Sequence, residues 1–168
     1  VIKNESELLL QTPKSLNDRF NLDVRVNSRV TKIDPANKTV TVLNLIDNQS
    51  YEESYDKLVI STGAKPRALP TPGIERAHVL RDVEDATGIK ALVDSGKIKS
   101  AAILGAGFIG IELAENFIHR GLKTTVVEMS KSILPQFDAE IIEPFQAHLV
   151  ANGIELALGV TAASINEN

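Results

Sequence analysis

A chain of 168 residues with 43% hydrophobic residues and a formal charge of −4 has apolar material for one ordinary globular domain or two small lobes. The mild negative charge argues against a nucleic acid or an anionic membrane as the main partner, and no apolar run approaches the length of a transmembrane span. The chain has no cysteine, which excludes a disulfide, a cysteine nucleophile or a thiolate metal site within it. Its three histidines, His78, His119 and His148, are widely separated and give a metal site no support.

Leu8–Leu10 is apolar and precedes Pro13. Thr12 followed by Pro13 predicts a capped helix start, because proline at the first helical position gives up an amide that has no partner there. That helix should run to about Phe20 and stop near Asn21, with Leu16 and Phe20 on one face. Asp23 to Ile33 alternates through Val24, Val26, Val30 and Ile33, which predicts a strand with an irregularity near Asn27 and Ser28. Asp34-Pro35-Ala36-Asn37-Lys38 is turn chemistry. Thr39–Leu45 is then the return strand, and Tyr51–Tyr55, after a second turn, completes a β-meander.

Lys57–Ile60 reads as a buried strand ending in Ser61-Thr62-Gly63-Ala64. Such a small-residue turn admits close approach of another group to the backbone, or is a plain exit from the strand. Three of the seven prolines lie between Lys65 and Gly73. They predict a stiff connection and a lobe boundary, with one lobe over 1–74 and the other over 75–168. Val79–Leu80 is a candidate short strand. Asp82 then caps a helix to Asp94, which Gly96 ends.

The most informative stretch is Ser100 to Glu128. Ala101–Leu104 is a short apolar run, too brief for a helix. Gly105, Gly107 and Gly110 follow at the spacing G-x-G-x-x-G. Ile111, Leu113, Ala114, Phe117 and Ile118 then recur at helical spacing until Gly121. Thr124–Val127 is a β-branched strand that ends in Glu128. The sum is a Rossmann-like dinucleotide-binding βαβ unit. Gly105 turns the chain off the strand, Gly107 lets backbone approach a pyrophosphate, and Gly110 lets helix and sheet pack closely. The helix N-terminus offers unpaired amides to phosphate, and Glu128 lies where an acid accepts from a ribose hydroxyl.

Met129–Phe137, containing Pro135, reads as a loop. Asp138 caps a helix over 139–151 whose apolar side is Ile141, Ile142, Phe145, Leu149 and Val150. Pro144 lies inside it and should kink it or delay its start. Asn152-Gly153 stops that helix, Ile154–Leu158 is a third strand, and Val160–Ile165 is a candidate for another. A complete dinucleotide lobe needs more strands. With an opening at Val1 rather than Met, this leads us to expect a piece of a longer, cytoplasmic protein.

The order β-meander, VISTGAKP, proline-rich connection to PGIE, ILGAGFIGIELAE, VVE and ILPQFD resembles the pyridine nucleotide-disulfide oxidoreductases. FNLDVRVNSRVTKID, NKTVTV and YEESYDKLVIS look most like the coenzyme A-disulfide reductase, NADH oxidase and persulfide reductase branch. The resemblance implies an FAD domain with an inserted NAD(P) domain, a C-terminal interface domain that forms a homodimer, and NADH and FAD as cofactors. The fold class is therefore α/β: a dinucleotide-binding lobe plus a β-meander remnant of an FAD-binding domain.

The family's N-terminal FAD glycine motif and redox cysteine are absent here, as is its second FAD segment. The resemblance thus implies a central slice that does not catalyse the parent reaction alone. Gly105, Ala106, Gly107, Phe108, Ile109 and Gly110 match the NAD(P) turn. Phe108 stands where the family has an aromatic that covers the flavin until nicotinamide displaces it; simple packing on the sheet is the alternative. Glu112 matches a family acid near the nicotinamide–flavin junction, or is a solvent-facing helix charge. Glu128 matches the ribose acid and favours NADH over NADPH, with Lys131 close enough to offset that preference. Thr62, Gly63 and Ala64 match the turn that approaches FAD, and Val30 a strand position that meets its adenine. No catalytic or metal-ligating residue is assigned. Two other readings stay open: a ferredoxin, rubredoxin or nitrite reductase-type flavoenzyme, and a non-enzymatic nucleotide-binding module.

Overall fold

The structure, a computed structural model, describes residues 10–167. Its chain parts into two compact units, Val1–Ala64 and Lys65–Asn168.

In the first unit, helix α1 spans Pro13–Phe20. Thr12 Oγ1 accepts from the Ser15 amide at 3.1 Å and Ser15 Oγ accepts from the Thr12 amide at 2.8 Å, a reciprocal capping box. Asn21 ends the helix in the left-handed conformation, φ 54°. Leu8 and Leu9 lie outside the described residues. Strands β1 (Ser28–Asp34), β2 (Thr39–Asn44) and β3 (Ser50–Ser54) form an antiparallel sheet in that order. The meander is as the alternation predicts, but β1 starts later than Asp23. Asn27 takes φ 52°, which breaks the extended path, so the alternation of Val24 and Val26 is not strand pairing. A bulge follows at Thr31, between the pairs Val30–Val42 and Lys32–Thr41. Asp34 closes the first turn by accepting from the Ala36 and Asn37 amides, and Val40 and Val42 are this unit's buried side chains among the described residues.

The run Lys57–Ile60 is not a strand. Val59 is 86% exposed and Ile60 67%. A strand exists only by pairing, and no described strand pairs with this run; its apolar sequence marks a buried strand only where a sheet is present to receive it.

In the second unit a single 3-10 turn, Ile74–Arg76, precedes helix α2 (Val83–Asp94). Asp82 caps α2 as expected, in a capping box with Asp85. Val79–Leu80 forms no strand. Strands β4 (Ser100–Leu104), β5 (Lys123–Glu128) and β6 (Ile154–Leu158) make a parallel sheet in chain order. Helix α3 (Phe108–His119) joins the first two and α4 (Ala139–Ala151) the last two. The core is Ile103, Ala106, Ile111, Ala114, Phe117, Val126, Ile142, Leu149 and neighbours.

Helix α3 ends in a Schellman motif. The Gly121 amide donates to the Ile118 carbonyl and the Leu122 amide to Phe117, with Gly121 at φ 78° and Phe117 and Leu122 both buried. Helix α4 starts at Ala139 and passes through Pro144. The amide that proline lacks would have met the Glu140 carbonyl in the first turn. Both residues are exposed, so that carbonyl is not stranded in the core, and the helix start is not delayed. Of the expected apolar side, Ile142 and Leu149 are buried, whereas Ile141 and Val150 stay more than half exposed. Residues 160–165 form no strand; the Ile165 amide instead donates to the Pro72 carbonyl at 2.8 Å. Among the described residues, no helix is long and apolar enough to cross a membrane.

Candidate functional site

Parallel pairing builds the site. Leu104 pairs with Val127, so the next residues, Gly105 and Glu128, leave the carboxyl edge of the sheet side by side. That edge is where open α/β sheets receive ligands. The Gly105 amide donates to the Val127 carbonyl at 2.8 Å, and Gly105 turns with φ 109°, a conformation that favours glycine. Gly107 is the N-cap of α3 in ordinary extended conformation, and no side chain caps the amides behind it. A Cβ on Gly107 would meet no atom within 4 Å. Glycine here is therefore not demanded by the protein's own packing. Gly110 is the reverse: a Cβ there would lie 2.1 Å from the Gly105 carbonyl oxygen. Helix and turn pack too closely for any side chain.

Glu128 is half-buried and does two jobs at once. Its Oε2 accepts from the Ala106 amide and its Oε1 from the Ser130 amide, each at 2.8 Å. The Ala106 amide, above all, holds this carboxyl below the ordinary glutamate range; burial opposes the shift and the Ser130 amide adds to it. Two backbone donors leave a carboxylate with further lone pairs, so Glu128 can still accept from a ligand hydroxyl. Its own carbonyl accepts from the Val160 amide at 3.1 Å.

The loop 129–137 contributes what sequence reading missed. Ile133 is fully buried and Leu134 nearly so. The Leu134 amide donates to the Ala106 carbonyl at 3.0 Å, and the Ile133 amide to Gln146 Oε1 at 2.9 Å. The loop is thus fastened to the glycine turn on one side and α4 on the other. Two adjacent apolar residues in the middle of the loop were the available signal. Lys131 is exposed on the same loop.

Phe108 is exposed at the first position of α3 and meets Phe137 edge to face. Ile109, the next residue, and Glu112, one turn along α3, line an open hollow of about 300 Å³ with Leu80, Arg81, Asp82 and Asn116. Gly105, Ala106, Gly107, Phe108, Ile109, Gly110, Glu112 and Glu128 therefore lie together in the second unit. Val30, Thr62, Gly63 and Ala64 belong to the first. Val30 is 53% exposed beside the bulge, and Gly63 turns with φ 68° in an exposed segment.

A strand, an uncapped glycine turn, a helix and a strand ending in a half-buried acid define a dinucleotide-binding βαβ unit. The family model described as pyridine nucleotide-disulphide oxidoreductase matches residues 3–168, and the chain belongs to that family. Coenzyme A disulfide reductase of Staphylococcus aureus is 32% identical over 170 aligned residues, which cover 100% of this chain and 38% of the relative. The crystal structure of reduced CoADR-RHD from Bacillus anthracis superposes with a TM-score of 0.93 at 40% identity, over 99% of this chain and 30% of the other. The water-forming NADH oxidase from Lactobacillus brevis, bound to NADH, gives 0.90 at 30% identity, over 99% and 37%. The chain spans 38% of the length of the first relative.

Proposed function

We propose that this chain is the NADH-binding portion of an FAD-dependent oxidoreductase that passes hydride from NADH to FAD and on to a disulfide, persulfide or oxygen. The observation that carries the reading is the open space at Gly107, with uncapped α3 amides behind it and Glu128 beside it. These residues fit a dinucleotide. The α3 amides would hold the pyrophosphate, and Glu128 a ribose with its 2′-hydroxyl free. A 2′-phosphate would face the Glu128 charge, which supports NADH over NADPH.

Nicotinamide and flavin supply the redox chemistry; the chain supplies binding and orientation. Val30, Thr62, Gly63 and Ala64 would form part of the FAD wall. Phe108 and Glu112 would border the nicotinamide. The 168 residues hold no cysteine, so a thiol relay would have to come from outside them, and the parent would form its homodimer through another domain. The chain alone binds nucleotide without turnover.

The test is titration of the purified chain with NADH and NADPH, followed by protein-detected NMR, with Glu128→Ala as control. Selective NADH binding that weakens in the variant is expected. A folded sample indifferent to both nucleotides would refute the assignment.

A further inference from the structure

The Phe108 and Phe137 rings are perpendicular, with centroids 5.8 Å apart. Both are solvent-exposed, 59% and 44%. Phe108 is the first residue of α3, and Phe137 directly precedes Asp138, the N-cap of α4. Helix side chains lean toward the helix N-terminus. Phe108 therefore projects past the first turn of α3, toward the side where its uncapped amides open. A ring released there would be free to change rotamer and swing toward those amides.

We propose that Phe137 is a positioning residue that holds the Phe108 ring clear of the α3 amides and so keeps the cradle open for a pyrophosphate. The proposal rests on the nucleotide-binding reading above. Phe137 is itself fixed. Its amide donates to the Leu134 carbonyl at 3.0 Å, and the Leu134 amide donates to the Ala106 carbonyl at 3.0 Å. The post on which Phe108 leans is thus tied to the glycine turn that Phe108 follows. An edge-to-face contact also sets the ring's direction, which an aliphatic contact does not.

Calorimetric titration of the purified chain with NADH, and with ADP-ribose as a second probe carrying the same pyrophosphate, tests this. The proteins are wild type, Phe137→Ala, Phe137→Tyr, Phe108→Ala and the double variant Phe108→Ala with Phe137→Ala. Phe137→Ala should weaken both ligands about two- to tenfold, the range that an edge-to-face pair supplies. Phe137→Tyr should bind like wild type, and in the Phe108→Ala background removing Phe137 should change nothing. In the unliganded protein, the Phe108 ring resonances should move in Phe137→Ala and hold in Phe137→Tyr.

Unaltered affinity in Phe137→Ala overturns the proposal, as does a loss that persists without Phe108, which would make Phe137 a mere support of the loop. In both cases wild type still binds and the nucleotide reading stands. Wild type that binds neither probe removes that reading and the proposal with it.

Discussion

Replacing Glu128 by glutamine keeps the shape of the side chain and halves its accepting ends. In the wild type each carboxylate oxygen takes one backbone amide, Ala106 on Oε2 and Ser130 on Oε1, both at 2.8 Å. Glutamine offers one oxygen, so its amino group must face the other backbone N–H, donor against donor. The loss is one hydrogen bond to a charged acceptor, about 1.5–3 kcal/mol. Amide hydrogen exchange reads this residue by residue: at pH 7 either Ala106 or Ser130 should exchange about ten- to a hundredfold faster in Glu128→Gln. The pH dependence has a fixed sign. The folded carboxyl titrates below its unfolded value, so its contribution is full above the ordinary glutamate pKa of about 4.3 and is lost as pH falls through the lower folded value. The gap between wild type and variant should therefore close on acidification. If both amides stay as protected in the variant as in wild type at pH 7, Glu128 does not tie the turn to the loop and the reasoning fails.

Gly107→Ala separates folding from binding: with no atom near the new methyl and an ordinary backbone conformation, urea stability should fall by no more than about 1 kcal/mol, the cost of alanine at an N-cap, while NADH binding by NMR titration should fall sharply because the methyl occupies ligand space. A large loss of stability would show that the glycine serves the fold. Gly121→Ala should do the opposite. Its φ of 78° and its open surroundings leave only left-handed strain, so we expect a loss of about 1–2 kcal/mol in urea unfolding with NADH affinity retained; equal stability would argue against the Schellman stop.

Much of the candidate site is legible because its signals are local. Gly105, Gly107, Gly110 and Glu128 announce themselves by spacing, and Thr12, Asp82 and Gly121 mark helix ends through bonds made within a few residues. What sequence hides depends on distant partners. Lys57–Ile60 has the composition of a buried strand, yet it is exposed and unpaired, because composition cannot supply the neighbouring strands. Ile133 and Leu134 sit in a segment with loop chemistry, and it takes the distant core they join, with the hydrogen bonds of their amides to Gln146 and Ala106, to hold them inside. At Asn27 the irregularity expected near Asn27 and Ser28 is present, but its effect was not legible: a single left-handed residue there starts the strand late instead of bending it.

The pairing of Ile165 with Pro72 has an architectural consequence. Thr71 Oγ1 also donates to the Ala162 carbonyl at 3.4 Å, and Arg76 reaches the Ile165 carbonyl. Gly73 leaves so little space that a methyl there would sit 2.0 Å from that same oxygen. The segment that leads into the parallel sheet and the segment that follows it are stitched together at one spot. To a host polypeptide, such a unit is no longer than a short surface loop, since its two attachment points nearly coincide and the closure entropy of the host is hardly altered. A cassette of this shape can be set into another domain without prising that domain apart.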